Sequence, residues 1–98
     1  MTVYIDDMRR PARVGRIQAN WSHLMADTDK ELHAFAARLG LRRSWFQHEG
    51  KVTAHYDVTD TKRQEAIKLG ASQIGYMSRE SMDLLRRRRQ RRDAGGEL

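Results

Sequence analysis

The amino-acid sequence predicts a single small α/β or α+β domain, with about three helices and a mixed sheet of about four or five strands. Three observations lead to this prediction. The chain has 98 residues, which is enough for one modest core and too few for two. Short β-rich runs alternate with segments whose apolar residues recur at helical spacing. The composition, with 39% hydrophobic and 33% charged residues, is typical of a globular protein with a solvated surface.

The first part of the chain predicts strands. Thr2–Ile5 is β-rich and predicts a strand, whereas Met8–Ala12 contains the only proline and predicts a turn or loop. On either side of Gly15, a polar residue alternates with an apolar one, as Arg13/Val14 and Arg16/Ile17. Residues 13–19, followed by WSHLMA, therefore predict one or two half-buried strands. Because too few residues separate the first two strands for a crossover helix, we expect an antiparallel pair.

The central helix has the clearest signals. Thr28 and Glu31 have the spacing of a capping box, and Asp29 adds negative charge to the first turn. Gly40 suits the left-handed turn that ends a helix. His33 lies at the edge of the apolar stripe, on the same flank as Asp29, where it could face a cleft. The apolar stripe itself consists of Leu32, Phe35, Ala36 and Leu39.

After this helix the sequence predicts a hairpin, in which Ser44–His48 and Lys51–Val58 are strands that flank a turn at residues 49–50. His55 and Asp57 are two residues apart, so in a regular strand their side chains point to the same face.

The last third predicts two more helices. A threonine at position 59 or 61 caps the second helix, and Gln73–Met77 predicts a final strand. Ser78 can cap a third helix that carries Met82 and Leu85.

Three stretches together resemble a known family: VYIDDMRRPARVGR, WSHLMADTDKELHAFAARLGLRRSWFQ and HYDVTDTKRQEAIKLGA. They look like the small bacterial and phage proteins grouped as domain of unknown function 4031. The resemblance covers about Thr2–Ala71 and leaves the arginine-rich end outside. It implies one compact domain of similar length, and it implies no activity, cofactor or catalytic residue.

The composition excludes several classes of protein. No apolar run approaches the roughly 20 residues that cross a bilayer, and the first residues, MTVYIDDMRR, lack the apolar core of a secretory signal. We therefore expect a cytoplasmic protein. Because the chain has no cysteine, any metal would need histidine and carboxylate ligands.

The net charge of +6 is unevenly distributed. Residues 86–98 contain six arginines against Asp93 and Glu97, so they carry +4 and leave +2 for residues 1–85. We therefore divide the chain into a compact domain, residues 1–85, and an arginine-rich helix end or tail, residues 86–98.

Acidic residues and histidines lie near the predicted strand ends and helix starts. In open α/β sheets, ligands bind at the edge where such termini meet. If the strands run the same way, this edge holds Asp6, Asp7, His23, Asp27, His55 and Asp57. The expected metal ligands are Asp6, His23, Asp27, His33, His55 and Asp57. The expected catalytic residues are Asp6, Asp7 and His23.

The chemistry of this cluster has two interpretations. Its carboxylates would suit Mg²⁺ or Mn²⁺, and its imidazoles would suit zinc, nickel or iron. A metal held by two acids and a histidine can activate water and neutralise a phosphate, which indicates phosphoester hydrolysis. No spacing matches a recognised ligand motif, however. The alternative is a non-catalytic interaction or structural module in which the same side chains cap helices and form local hydrogen bonds. The sequence does not decide whether the chain is an enzyme.

The arginine run also has two interpretations. As a helix it places arginines around the whole axis, so we expect it not to pack in the core. It could bind nucleic-acid phosphates, largely independently of base sequence, or it could be a solvated helix end. The candidate phosphate contacts are Arg86, Arg87, Arg88, Arg89, Arg91 and Arg92. The leading hypothesis is a nucleic-acid-associated protein with metal-dependent phosphoester chemistry.

Overall fold

The computed structural model describes residues 2–98, which form five strands and three α-helices. The strands are β1 (Val3–Ile5), β2 (Arg10–Val14), β3 (Ile17–Ala26), β4 (Tyr56–Thr59) and β5 (Ser72–Gln73). The helices are α1 (Asp29–Arg38), α2 (Asp60–Lys68) and α3 (Arg79–Asp93), and a 3-10 turn spans Arg43–Trp45. The predicted α+β class and mixed sheet are confirmed.

The long strand β3 organises the sheet. Leu24 pairs with Ile5 of β1 on one side and with Tyr56 of β4 on the other. Trp21 lies in the same way between Arg10 of β2 and β4. β1 and β2 therefore lie end to end along one side of β3, and β4 runs along the other side. These three strands are antiparallel to β3, whereas β5 is parallel to β1.

The segment Met8–Ala12 differs from its prediction as a turn, because its last residues begin β2. Pro11 pairs with Asn20 of β3. β2 is an edge strand, and an edge strand tolerates a proline because half of its N–H groups have no strand partner.

Two further predicted strands are largely absent. Ser44–His48 contributes to the 3-10 turn and to a single bridge, from Gln47 to His55. The left-handed backbone of His48, at φ 57°, and of Gly50, at φ 83°, widens the connection beyond a tight hairpin. Of Gln73–Met77, only Gln73 belongs to β5.

Helices α1 and α2 cover one face of the sheet. Thr28 caps α1, with its Oγ1 accepting the backbone N–H of Glu31 at 3.3 Å, as the sequence predicts. The left-handed Gly40, at φ 78°, ends the helix. Thr59 caps α2. The predicted buried stripe of Leu32, Phe35, Ala36 and Leu39 is confirmed, and it packs against Ile5, Leu24, Ala26, Tyr56 and Val58.

Helix α3 is capped by Ser78, as predicted, and it runs over the opposite face. Its buried residues are Leu84 and Arg88, whereas Met82 is exposed. No helix in residues 2–98 is long and apolar enough to cross a membrane.

Arg88 contradicts the expectation that the arginine run would not pack in the core, because its side chain is only 1% exposed. Its guanidinium donates to the carbonyls of Val52 at 3.0 Å and Ala26 at 3.1 Å, and to Asp29 Oδ1 at 2.8 Å. Arg88 follows Leu84 by four residues and so lies on the same face of α3, where each of its three side-chain nitrogens has an acceptor.

Candidate metal centre

Two histidines and an aspartate converge on the face of the sheet opposite α1 and α2. His23 of β3 and Asp57 of β4 are paired directly across the two strands, so their side chains share a face. His55 lies on that face two residues before Asp57. One potential ligand atom from each of the three lies within 4.8 Å of the others. Metal–ligand bonds are about 2 Å long, so small side-chain rotations would bring all three onto one ion.

Asp6 follows β1 and orients His23. Its Oδ2 lies 2.7 Å from His23 Nδ1, and its Oδ1 accepts the backbone N–H groups of His23 at 2.9 Å and Met8 at 3.2 Å. When Nδ1 donates to this carboxylate, Nε2 carries the lone pair that a metal requires.

His55 is held in the same tautomer by a different partner. Its Nδ1 lies 2.8 Å from the carbonyl oxygen of Thr53, which can only accept, so Nδ1 carries a proton. Its Nε2 lies 3.3 Å from Asp57 Oδ1. The rings of His23 and His55 are 4.8 Å apart in an edge-on arrangement. In both imidazoles, Nε2 rather than Nδ1 is therefore the nitrogen that could bind a metal.

The charges of His55 and Asp57 support each other. Burial lowers the pKa of His55, but hydrogen bonds to Asp57 and to the Thr53 carbonyl outweigh it and raise that pKa above 6.5. Burial raises the pKa of Asp57, but hydrogen bonds from His55 and Gln47 outweigh it and hold that pKa below its usual value. Without a metal, the pairing therefore favours the charged forms of both side chains, an imidazolium and a carboxylate.

A cavity of about 220 Å³ opens beside the cluster. Asp6, His23 and His55 line one part of it, and α3 and the preceding loop line another. The apolar lining consists of Met25, Met77, Met82 and Leu85. The cluster therefore borders a space that a small group could enter.

Asp7 holds Tyr76, one of the residues that line the cavity. Its Oδ1 accepts the backbone N–H of Tyr76 at 2.6 Å, and the tyrosine ring stacks on His23 with 5.7 Å between centroids and 21° between planes. Asp7 thus lies beside the cluster, and its bond to Tyr76 fixes the loop that covers His23.

Three residues near the site are not among the sequence-based candidates: Gln47, His48 and Tyr76. Gln47 Nε2 donates to Asp57 Oδ2 at 2.6 Å. His48 lines the cavity, with its ring 5.0 Å from that of His55. The only sequence signal for Gln47 and His48 is their place before the turn at residues 49–50, and Tyr76 has no such signal.

Two predicted ligands lie away from the cluster. His33 has its Nδ1 2.8 Å from the hydroxyl of Tyr56, which points to the core face, and burial lowers the pKa of its ring below 6.5. Asp27 accepts from the Thr2 backbone N–H at 3.1 Å and from the Tyr4 hydroxyl at 3.0 Å. Asp27 follows His23 by four positions along an extended strand, which is about 13 Å.

The predicted phosphate-binding arginines also divide into two groups. Arg88 is buried among protein acceptors. The exposed group is Arg86, Arg87, Arg89, Arg91 and Arg92. Within it, Arg87 donates to the Tyr4 hydroxyl at 3.0 Å.

A comparison with protein families gives a match over residues 3–88, to the family described as "Protein of unknown function (DUF4031)". No curated protein and no solved structure matches the chain. The family match includes the whole His/Asp cluster and extends beyond Ala71 as far as Arg88. The chain therefore belongs to the DUF4031 family.

Proposed function

We propose that this protein is a metal-dependent phosphoesterase that associates with nucleic acid. The observation that carries the proposal is the convergence of His23, His55 and Asp57, in which both histidines have Nδ1 engaged, so that Nε2 is the nitrogen left for a metal. Three protein ligands are the usual number at a catalytic zinc site.

The donor set favours a transition metal over magnesium. Two imidazoles and one carboxylate suit Zn²⁺, Mn²⁺, Fe²⁺ or Ni²⁺, whereas Mg²⁺ prefers oxygen ligands and bound water. Of Mg²⁺, Mn²⁺ and Zn²⁺, Zn²⁺ fits this donor set best and Mn²⁺ fits second best.

The chain's own residues would hold the ligands in place during turnover. Asp6 keeps His23 in one tautomer, and Gln47 restrains Asp57. A metal held by His23, His55 and Asp57 would have a coordination position left for water and would supply a nucleophile at neutral pH by lowering the pKa of that water. The cavity beside His23 and His55 leaves room for the reacting ester.

Association with nucleic acid rests in this proposal on the exposed arginines of α3. Arg88 is excluded because its donors are occupied inside the protein. The other five arginines of the run face solvent, where they can neutralise phosphates.

One observation favours the non-catalytic alternative, in which the cluster only fastens strands together. Among residues 2–98, every buried side-chain nitrogen and oxygen has a hydrogen-bond partner. No buried polar atom of Asp6, His23, His55 or Asp57 therefore needs an ion as its partner.

Stabilisation by added metal distinguishes the proposed metal-dependent enzyme from the non-catalytic alternative. We expect Zn²⁺ at about one hundred times its dissociation constant to stabilise the protein by about 2.7 kcal/mol, or roughly 10 °C or more in Tm. His23→Ala and Asp57→Asn should lose this stabilisation. His33→Gln, a matched histidine outside the cluster, should keep it.

Hydrolysis is the second measurement, with bis(p-nitrophenyl) phosphate as substrate and Zn²⁺, Mn²⁺, Ni²⁺ or Mg²⁺ added. We expect activity that depends on the metal and on His23. Metal binding without hydrolysis would contradict the proposed phosphoesterase activity and would support the proposed metal centre. No stabilisation by any of the four metals would leave the hydrogen-bond network as the function of the cluster.

A further inference from the structure

The hairpin formed by β2 and β3 carries an unassigned basic surface. Residues 9–20 contain four arginines and no acidic residue. Arg9 is engaged with Asp60, whose Oδ2 lies 2.8 Å from the Arg9 guanidinium. Arg10, Arg13 and Arg16 are exposed, and no carboxylate in residues 2–98 lies within ion-pair distance of them. We call Arg10, Arg13 and Arg16 the hairpin arginines.

The hairpin arginines are distributed over both faces of the ribbon. Arg10 pairs with Trp21 and so shares the face of the metal centre, whereas Arg13 pairs with Gln18 on the opposite face. Arg16 lies in the turn after Gly15. Next to that turn, the paired residues Val14 and Ile17 are 56% and 54% exposed. The hairpin thus has cations on both faces and apolar groups near its tip.

We propose that this hairpin is a nucleic-acid-binding arm that inserts between the two phosphate backbones of a duplex. The major groove of B-form DNA admits a two-stranded β-ribbon and has a phosphate wall on each side. Arginine matches phosphate geometry through paired N–H donors. In such an insertion Arg10 and Arg13 would face opposite walls, because they lie on opposite faces of the hairpin. Val14 and Ile17 share the face of Arg10 and lie next to the tip, which would approach the groove floor, where thymine methyl groups provide apolar contacts.

The same distribution argues against an anionic membrane as the partner. A flat lipid surface meets one face of a ribbon, so it would engage Arg10 or Arg13 but not both. The exposed apolar groups near the tip are Val14 and Ile17. Segments that lie in a membrane interface use a wider apolar face with Trp, Phe or Leu.

A second copy of the chain is also disfavoured. The free edge of β2 could accept another strand, as exposed edges do. Pairing two copies of β2 would bring Arg10 and Arg13 close to their equivalents, and like charges across a strand pair are destabilising. The hairpin arginines therefore favour an anionic partner over self-association.

A comparison of three charge-matched variants tests the proposal. The hairpin variant is Arg10→Gln/Arg13→Gln/Arg16→Gln, and the helix variant is Arg86→Gln/Arg89→Gln/Arg91→Gln. The control variant, Arg38→Gln/Lys68→Gln/Arg79→Gln, removes three exposed cations that have no proposed role. Each variant lowers the net charge by three, so a general charge effect is the same in all of them.

Binding is measured by fluorescence anisotropy with a labelled 20-base-pair DNA duplex between 50 and 200 mM salt. We expect the hairpin variant to bind at least tenfold more weakly than the control variant at 50 mM salt. Its slope of log affinity against log salt should fall by about two to three relative to wild type, since each phosphate contact contributes roughly 0.9. The hairpin proposal is overturned when the hairpin variant and the control variant bind equally. The helix variant tests the α3 arginines separately.

Two further measurements keep the inference testable independently of the variants' folding. In the wild-type chain, amide NMR shifts on adding the duplex should concentrate in residues 10–18, and shifts confined to other regions overturn the proposal. Vesicles of phosphatidylglycerol and phosphatidylcholine should not bind the wild type at 150 mM salt. Vesicle binding that the hairpin variant loses, with DNA affinity unchanged, would identify a membrane as the partner instead.

Discussion

At the scale of single residues, Asp6 is the most constrained side chain near the cluster. Its carboxylate contacts the His23 ring and the backbone N–H groups of His23 and Met8. One buried carboxylate thus fixes both the position of β3 against the end of β1 and the tautomer of a proposed ligand. These two roles can be separated by experiment, because only the second involves metal.

Asp6→Asn should lower Zn²⁺ affinity by about 10–100-fold, since an amide in place of the carboxylate orients the imidazole less well and makes it a weaker base. Competition with a chromophoric chelator at pH 7 measures this change. Asp27→Asn is the matched control, because Asp27 also bonds a backbone N–H and a side chain but lies outside the cluster. Equal affinities for wild type and Asp6→Asn would contradict the proposed orientation of His23.

The raised pKa of His55 predicts how the proposed metal affinity changes with pH. Because the proton on Nε2 and the metal compete for one lone pair, Zn²⁺ affinity should rise with pH through that pKa, and binding should release a proton. In metal-free protein, the free energy of unfolding should instead fall as the pH rises. There the charged pair with Asp57 contributes stability below the ordinary pKa of 6.5, and this contribution is lost as the pH rises through the raised pKa.

Calorimetry in buffers of different ionisation enthalpy measures the proton release, and titrations at pH 6, 7 and 8 measure the affinity. His33→Gln should keep the same profile, since the pKa of His33 is lowered and its ring is outside the cluster. A Zn²⁺ affinity that is constant from pH 6 to 8 would exclude His55 as a ligand.

At the scale of secondary-structure elements, helix α3 depends on a charged residue for its attachment. Leu84 and Arg88 are its buried residues, and Arg88 ties the helix to β3, to the start of α1 and to the loop at Val52. An isolated buried charge is costly, but here each guanidinium nitrogen has an acceptor and Asp29 supplies the opposite charge. α3 in turn carries Met82 and Leu85 to the cavity, so Arg88 indirectly shapes the site.

Arg88→Leu should destabilise the protein by about 3 kcal/mol, because buried carbonyls and Asp29 lose their donor. Urea unfolding followed by circular dichroism measures the free energy of unfolding. Arg89→Leu, one position further along and exposed, should stay within about 0.5 kcal/mol of wild type. If both variants are equally stable, α3 is not attached through Arg88.

The helices could be predicted from the sequence because their signals are local. Thr28, Thr59 and Ser78 accept backbone N–H groups at the three helix starts, where the sequence has capping residues before helical periodicity. Strand limits depend instead on partners distant in the chain. Pro11 is acceptable only because β2 is an edge strand, and the short β4 depends on pairing with β3.

At the scale of the whole molecule, the sequence predicts that the candidate site consists of aspartates and histidines, but it identifies only some of the residues that converge. Asp6, His23, His55 and Asp57 converge, but through direct pairing of antiparallel strands and not at a common edge of parallel ones. Strand register decides this pairing, and a single sequence does not fix register. The helical angle of His33 predicts that it faces a cleft, but it does not reveal that Tyr56 lies on that flank of α1.

The position of Arg88 also predicts where the folded domain ends. A chain that stops at Leu85 lacks the buried guanidinium, so it should be destabilised at least as much as Arg88→Leu. A chain that stops at Asp93 keeps all of α3 and should unfold at nearly the same urea concentration as the full chain. Equal midpoints for all three chains would support the predicted boundary, with residues 86–98 as a dispensable tail.

The pairing of His23 with Asp57 has a consequence for the order of folding. The β2–β3 hairpin closes over the short turn at Gly15, whereas the β3–β4 pair must enclose residues 24–56, including all of α1. The entropy lost on closing a loop grows with its length, so the hairpin is the easier contact to form and the strand pair of the site is a later one. A partly folded chain could therefore present its arginines before its histidines meet, and the metal centre would exist only once the long loop is closed.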